Sequence, residues 1–502
     1  MNVLLIGDIG WSGLYHLGDE AMSEAAIDML RQRGIHDITL IAGEPSVATQ
    51  MYGLPAVPRI GYKWGWSRAR MEGHLSSLTA SLGGRVDVTG PASPVIEAVA
   101  ACDAIVIAGG GNLNSKHVHH LFERVSLVRI ARHYGRPVFV TSQTMGPTFR
   151  PSDATLAREI IEYATCFGAR EASTHALAIE LGGDPDRVVH GLDDAAMLTP
   201  READRAAIRD LRLPPRYIIG SLTGYATSLG VTRAEYHRLM ADTLNRLSDG
   251  HDAEVVLVPH LGSFDQDRRT HDLLAHDAIV DATENARITS LPTMPARQVV
   301  ALTEGAMLSL STRYHPTVFG PVLGTPTVAI TSSYYSAVRM AGALSNVGLG
   351  KYAMPADAWV HGPFEDVVDN LVERAPEFAA HMSTVVPLRM SEQSAWWDAI
   401  AASIKGSEWV RPGDLSPVAE FGIPAPWAER LAVQTRLSNE LGRAQFDVLL
   451  HKQDLKVKDS QLERTKGRLV AARRSIAALR ARRTVRAVDR IKRELARYWV
   501  RR

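Results

Sequence analysis

The stretch NVLLIGDIGWSGLYHLGDEAMSEAAIDMLRQRGIHDITLIAG, residues 2–43, decides the fold. It opens on an unbroken apolar run, NVLLIG, crosses a glycine-rich loop into a helix-like segment, LGDEAMSEAAIDMLRQRG, and closes on a second apolar run, DITLIAG. A strand with one face in water alternates polar and apolar residues. These runs do not alternate, so they belong to a parallel sheet covered by helices on both faces. DAIVIAGGG, the helix-like VSLVRIARHYG and PVFVTSQ carry the rhythm onward.

After residue 200 the pattern restarts, with YIIGSLTG at 217–224, a helix around 232–248, EVVLVPH at 254–260, a helix around 266–275, GAMLSLSTRYH and TPTVAITSS. The expected fold is α/β: two Rossmann-like domains facing a cleft, over residues 1–205 and 206–390, with a C-terminal helical tail. Residues 391–410 are expected to close the pair with a helix, SEQSAWWDAIAASIK, started by a capping serine. A proline-rich linker at 411–427 then leads to a basic tail over 428–502.

The formal net charge of +1 hides an asymmetry: residues 451–502 hold 18 Lys/Arg against 5 Asp/Glu, leaving 38 against 50 in the rest. In the tail, Leu455, Leu462, Leu469 and Ile476 recur every seven residues, a spacing that suits a coiled coil and a homo-oligomer. Its end intersperses Val488, Ile491, Leu495, Tyr498 and Trp499 with cations, as in a helix lying on a membrane. No nucleic-acid reader fold accompanies the charge, so no nucleic-acid partner is expected. The apolar runs are too short for a bilayer span or a signal peptide, which points to a cytoplasmic location, with peripheral contact through 480–502 at the inner face of the plasma membrane. Two cysteines, Cys102 and Cys166, provide neither a disulfide framework nor a cysteine zinc site.

Polar and glycine-bearing loops follow nearly every strand, where open α/β sheets bind ligands. The first, GDIGWSGLYHLGDEAM, opens a helix at Gly18 and Asp19, with free N–H groups for an anion. GGGNLNSKHVHH at 109–120 brings Gly110, Gly111 and Asn112, with glycine spacing unlike that of a P-loop. Its His117, His119 and His120 lack a further group to complete a tetrahedral set, so no metal is expected. Gln143 tips a third strand, Arg170 a fourth, and HGLDDAAML offers Asp193 and Asp194. In the second half come SLTGY at 221–225, His260 with Asp265 and Asp267, and then Arg313 and His315 in STRYHPTVFG. Arginine gives carboxylate or phosphate a planar fork, and histidine moves a proton near neutral pH, so the set suits an anionic small-molecule substrate.

In this order the segments resemble the polysaccharide pyruvyltransferase family: GDEA at 18–21, GGGNL at 109–113, QxxGP at 143–147, RExS at 170–173, DDA at 193–195, VPH with a following Asp at 258–265, and RYH at 313–315 before LGTPTVAI. The resemblance covers roughly residues 1–335. It implies a fold like that of GT-B glycosyltransferases, and transfer of a pyruvyl group from phosphoenolpyruvate to hydroxyls of a cell-surface polysaccharide or its lipid-linked precursor, forming a ketal without a cofactor. It places Arg313 and His315 at the donor site. Donor clamping then falls to Arg313, proton movement to His315, and orientation of the glycan acceptor to Asp19 or Asp194. Two positions depart from the family pattern: His16 stands where members often have asparagine, and SLTGY lacks an arginine that many carry. Two other readings stay open, a nucleotide-sugar-dependent glycosyltransferase and a non-catalytic glycan-binding scaffold.

Overall fold

Both expected sheets form, and every pairing along them is parallel. The computed structural model describes residues 1–83, 92–224, 229–265, 267–283, 285–481 and 483–500. The first sheet runs in the order Ala56–Pro58, Asp37–Ala42, Asn2–Ile6, Ala104–Ile107, Val138–Met145, Cys166–Ala169, Val188–His190, with Gly110–Leu113 also paired to Val138–Met145. The second runs Ile288–Ser290, Glu254–Leu257, Tyr217–Ser221, Leu308–Ser311, Thr327–Thr331, Ala353–Pro355. Each sheet therefore reverses its strand order beside its own first strand. Such a reversal opens a crevice at the carboxyl ends.

The unbroken apolar runs have a direct cause. Val3, Leu4, Leu5 and Ile6 are all sealed from solvent. Leu4 and Ile6 pack with Ile105, Val125 and Val140 on one face, and Val3 and Leu5 with Leu40, Val106 and Ile400 on the other. Each such side chain contributes about 1.5–3 kcal/mol by leaving water, so a polar residue on either face would be costly.

The halves are joined as well as apposed. Tyr15–His16, in the loop after the first strand, pairs antiparallel with Leu261–Gly262 of the second half. Leu17 N–H donates to the His260 carbonyl at 3.0 Å, and Ala296 N–H to the Tyr15 hydroxyl at 2.9 Å. One expected element lies further along the chain: the helix sought around 266–275 spans Asp272–Val280.

The closing helix is longer than its sequence suggested, spanning Ala375–Ile404, so Ser391 lies inside it and caps nothing. Proline ordinarily ends a helix, yet here the helix continues through Pro387. Tertiary packing overrides the local signal: Phe378, Met382 and Val385 enter the core of the second half, and Trp396, Trp397, Ile400 and Ile404 that of the first.

The proline-rich stretch is no free linker. Phe421 and Ile423 are buried, Phe421 N–H donates to the Gly348 carbonyl at 2.9 Å, and Leu415 N–H to that of His190 at 3.0 Å. It is a strap laid over both halves.

Helices Ala425–Ala481 and Arg483–Val500 follow, and residues 446–502 form a separate unit. Within that unit Leu455, Leu462, Leu469 and Ile476 are each half exposed or more, as are Val488, Ile491 and Leu495. The side chains of Tyr498 and Trp499 lie outside the described residues. No helix among the described residues is long and apolar enough to cross a membrane.

Candidate active site

The first crevice is a nest of charge. Asp8, directly after the first strand, accepts from Arg59, whose Nε also donates to both oxygens of Glu123 at 2.9 Å. His120 Nε2 stands 3.5 Å from Asp8 Oδ2. Burial works to raise the Asp8 carboxyl, but His120, Arg59 and Arg124 outweigh it and hold Asp8 far below the usual range. Asp19, in the first turn of the helix Leu17–Gln32, has the opposite fate. Burial and the nearby Asp8 anion raise it to about 7 despite Arg170 and Arg124. One crevice thus holds a fixed anion and a carboxyl that titrates near neutrality. His16 Nδ1 lies 3.8 Å from Asp19 Oδ2, and burial lowers that imidazole.

In the second crevice Arg313 ends the strand Leu308–Ser311. Its Nε donates to Asp272 Oδ2 at 3.0 Å, and Nη2 bonds the other oxygen. Asp272 is buried and also accepts the backbone N–H of His260 and of Leu261. The guanidinium is therefore fixed in place, while 29% of the side chain remains exposed. It faces an open pocket of about 730 Å³, lined also by Lys116, Thr223, His271, Ser332 and Ser333.

His315 completes the arrangement from the start of the helix Pro316–Val322. Its ring lies flat over Gly18: a Cβ there would fall 1.8 Å from the imidazole, so only glycine admits this approach. Nε2 stands 3.8 Å from Asp193 Oδ2 and is buried without a hydrogen-bond partner among the described residues. Burial, then Arg170 and Arg339, hold the ring well below its usual range, so it is neutral and able to accept a proton. Asp193 Oδ2 also takes Arg170 Nη1 at 2.5 Å, and the Arg170 guanidinium stacks 4.2 Å over Tyr314.

Several other sequence candidates point elsewhere. Asp194, not Asp193, was expected at the site, but its Oδ1 accepts from Gln393 Nε2 and Trp397 Nε1, both at 2.8 Å, beneath the closing helix. Successive residues at a strand end face opposite ways, and DDA cannot reveal which carboxylate turns inward. Gln143 gives its amide to the carbonyls of Ala108 and Thr141, which braces neighbouring strands. His260, lowered to about 3 by burial, then by His315 and Arg313, anchors the first loop through its backbone. Gly110 packs against the side chain of Asn112, and a Cβ on Gly111 would meet the Tyr335 hydroxyl at 2.6 Å. Missed altogether were Asp8, Asp272, Tyr335 and Arg339. Only Asp8 carried a sequence signal, a carboxylate directly after a buried strand. Among the described residues no group of three or more His, Cys, Asp or Glu is placed to hold a metal ion.

Known proteins share this architecture. A Staphylococcus aureus MnaA–UDP co-structure superposes with a TM-score of 0.53 at 10% identity, covering 84% of this chain and 100% of that one. A UDP-N-acetylglucosamine 2-epimerase gives 0.51 at 10% identity, covering 84% and 99%. These likenesses establish a GT-B-like fold. Among curated proteins, the amylovoran biosynthesis protein AmsJ of Erwinia amylovora is 21% identical over 298 residues, 57% of this chain and 69% of that protein. The family model for polysaccharide pyruvyl transferase matches residues 16–334, which run from the His16–Asp19 loop to the end of the second crevice. The chain belongs to the polysaccharide pyruvyl transferase family and is a transferase.

Proposed function

We propose that the chain transfers the pyruvyl group of phosphoenolpyruvate to two hydroxyls of a cell-surface polysaccharide or its lipid-linked precursor, closing a ketal. The observation that carries this reading is the meeting of three groups at one seam: Arg313 fixed by Asp272, unprotonated His315 on Gly18, and Asp19 poised near pH 7. In the reaction the enol CH2 carbon gains a proton, the adjacent carbon gains two acceptor oxygens, and inorganic phosphate leaves. Of the two protons released by the acceptor hydroxyls, one balances the new methyl group and the other leaves with phosphate.

Arg313 binds the donor's negative charge. Asp19, protonated in part at neutral pH, supplies the proton to carbon, and His315 takes one from the attacking hydroxyl. Asp194 has no part in this scheme, because Gln393 and Trp397 enclose it. Isothermal titration with phosphoenolpyruvate, and separately with UDP-sugars, tests the donor. Saturable phosphoenolpyruvate binding that disappears in Arg313→Ala is the expected result. Binding of UDP-sugars alone would move the chemistry to glycosyl transfer, a second reading supported by the GT-B-like fold and the 730 Å³ pocket.

The enzyme works in the cytoplasm, where its basic end meets the inner face of the plasma membrane beside lipid-linked acceptors. Val488, Ile491 and Leu495 stand exposed among the cations there. Loss of residues 480–502 should abolish sedimentation with anionic vesicles; unchanged sedimentation would remove the membrane from this account.

A further inference from the structure

Phosphoenolpyruvate carries two anionic groups, and the strand that opens the second half, Tyr217–Ser221, ends without an arginine. The cleft's other cations divide into two kinds. Arg170 is answered by Asp193 and Glu171, and Arg313 by Asp272. Lys116, from the loop after Gly110–Leu113, and Arg339, on the helix Tyr334–Ser345, have no hydrogen-bond or ion-pair partner among the described residues. Arg339 Nε is even buried in that condition.

These two cations come from different halves and meet at one ring. The Arg339 guanidinium lies 4.1 Å from the centre of Tyr335, and Lys116 Nζ 5.7 Å from it. The Tyr335 hydroxyl donates to the Gly111 carbonyl at 3.0 Å, pinning the second half to the glycine loop of the first. Lys116 also lines the pocket that Arg313 faces. Two like charges gathered at one aromatic ring, neither of them hydrogen-bonded or ion-paired to a carboxylate among the described residues, leave a positive field there. An anion placed between them removes that repulsion and gains charge-assisted hydrogen bonds.

We infer that Lys116 and Arg339 form an anion subsite above Gly111, built from both halves, that takes a phosphoryl or carboxylate group of the substrate. Partial burial of its side chain and the nearby Arg339 both lower Lys116, which agrees with two cations held close to one another. The subsite rests on the donor reading for the identity of the molecule, but not for the binding of an anion.

The test is titration calorimetry of the full chain with phosphoenolpyruvate, inorganic phosphate and pyruvate, in wild type, Arg339→Ala, Arg339→Lys and Lys116→Ala. Loss of a charge-assisted contact should weaken phosphoenolpyruvate about thirtyfold in Arg339→Ala and about tenfold in Lys116→Ala, with Arg339→Lys in between. Competition by phosphate assigns the phosphoryl group to the subsite, and competition by pyruvate assigns the carboxylate. Lys116 is exposed, so Lys116→Ala carries the test even where Arg339→Ala fails to fold. Phosphoenolpyruvate binding that both alanine variants retain but Arg313→Ala loses would overturn the subsite and leave the donor reading intact. Phosphate binding without phosphoenolpyruvate binding, lost in Arg339→Ala, would keep the subsite and overturn the donor. A wild type that binds none of the three ligands overturns both.

Discussion

The two crevices share one topology and hold opposite chemistry. Each lies where strand order reverses beside the first strand of its sheet. At the first, carboxylates outnumber free cations, and Asp8 is locked as an anion while Asp19 is left close to neutral. At the second, a buried carboxylate, Asp272, holds a cation that still faces open space. The fold therefore supplies only two places to work, and the residues that follow each strand decide what is done there. In the proposed reaction Asp19 brings proton chemistry to the first half and Arg313 a clamped cation to the second, while His315 crosses over to lie on Gly18.

The largest break in this division should come from Arg313→Ala. It removes the proposed donor cation and leaves Asp272 buried with only backbone N–H partners. An uncompensated buried charge costs about 3–5 kcal/mol, so phosphoenolpyruvate binding should vanish and the melting temperature should fall as well. Arg313→Ala/Asp272→Asn separates the effects: stability should largely return, whereas binding should not. A double variant that regains donor affinity would show that Arg313 only neutralises Asp272.

Asp19→Asn comes next, with an expected loss in kcat of about a hundredfold, the usual scale for a positioned acid or base. The wild-type rate should decline as pH rises through about 7, where Asp19 gives up its proton, and the variant should lose that limb. Stability should move the other way. A carboxyl whose folded pKa is raised from 3.8 to about 7 costs nothing below pH 3.8, costs more as pH rises between those values, and carries its full cost above 7. Melting curves should therefore show Asp19→Asn matching wild type near pH 4 and exceeding it at pH 8. A variant less stable at pH 8 would mean that Asp19 is not buried as an acid.

How much of this was legible in the sequence follows from what each residue answers to. Unbroken runs such as NVLLIG report burial on two faces, a demand made by the sheet itself, so both sheets could be read from pattern. Arg313, His315 and Asp19 stood out as candidates because strand ends and helix starts are visible in sequence. Residues fixed by contact between distant segments left no local trace: Asp272 under Arg313, Arg339 over Tyr335, and the choice of Asp193 over Asp194. The start of the closing helix was hidden for the same reason, since only packing against both cores explains why it continues through Pro387.

Gly18→Ala tests the crossover with a smaller effect. Within a helix alanine is favoured over glycine by about 1 kcal/mol, and at Gly18, the second residue of Leu17–Gln32, local propensity predicts a smaller gain in stability. The new Cβ, however, would fall 1.8 Å from the His315 ring, and the imidazole must swing away from Asp193. Turnover should drop by about tenfold, in proportion to a displaced base, while circular dichroism and melting temperature change little. Full activity would show that His315 does not act from the place where it rests on Gly18.

The smallest effect should come from Asp194→Asn, and its size decides which of two adjacent carboxylates serves the reaction. Asparagine keeps a carbonyl oxygen for Gln393 Nε2 and Trp397 Nε1, the two donors that reach Asp194 Oδ1. Burial raises this carboxyl from 3.8 to about 6, so its ionisation costs stability increasingly between those values and fully above 6. The variant should therefore be as stable as wild type at pH 4 and more stable at pH 7.5, with kcat and KM within about twofold. Asp193→Asn offers the contrast, because it weakens the charge that Arg170 and His315 share. Its activity should fall about tenfold or more on losing a charge-assisted contact. Equal losses in the two variants would place both carboxylates in one network and erase the boundary between the donor site and the closing helix.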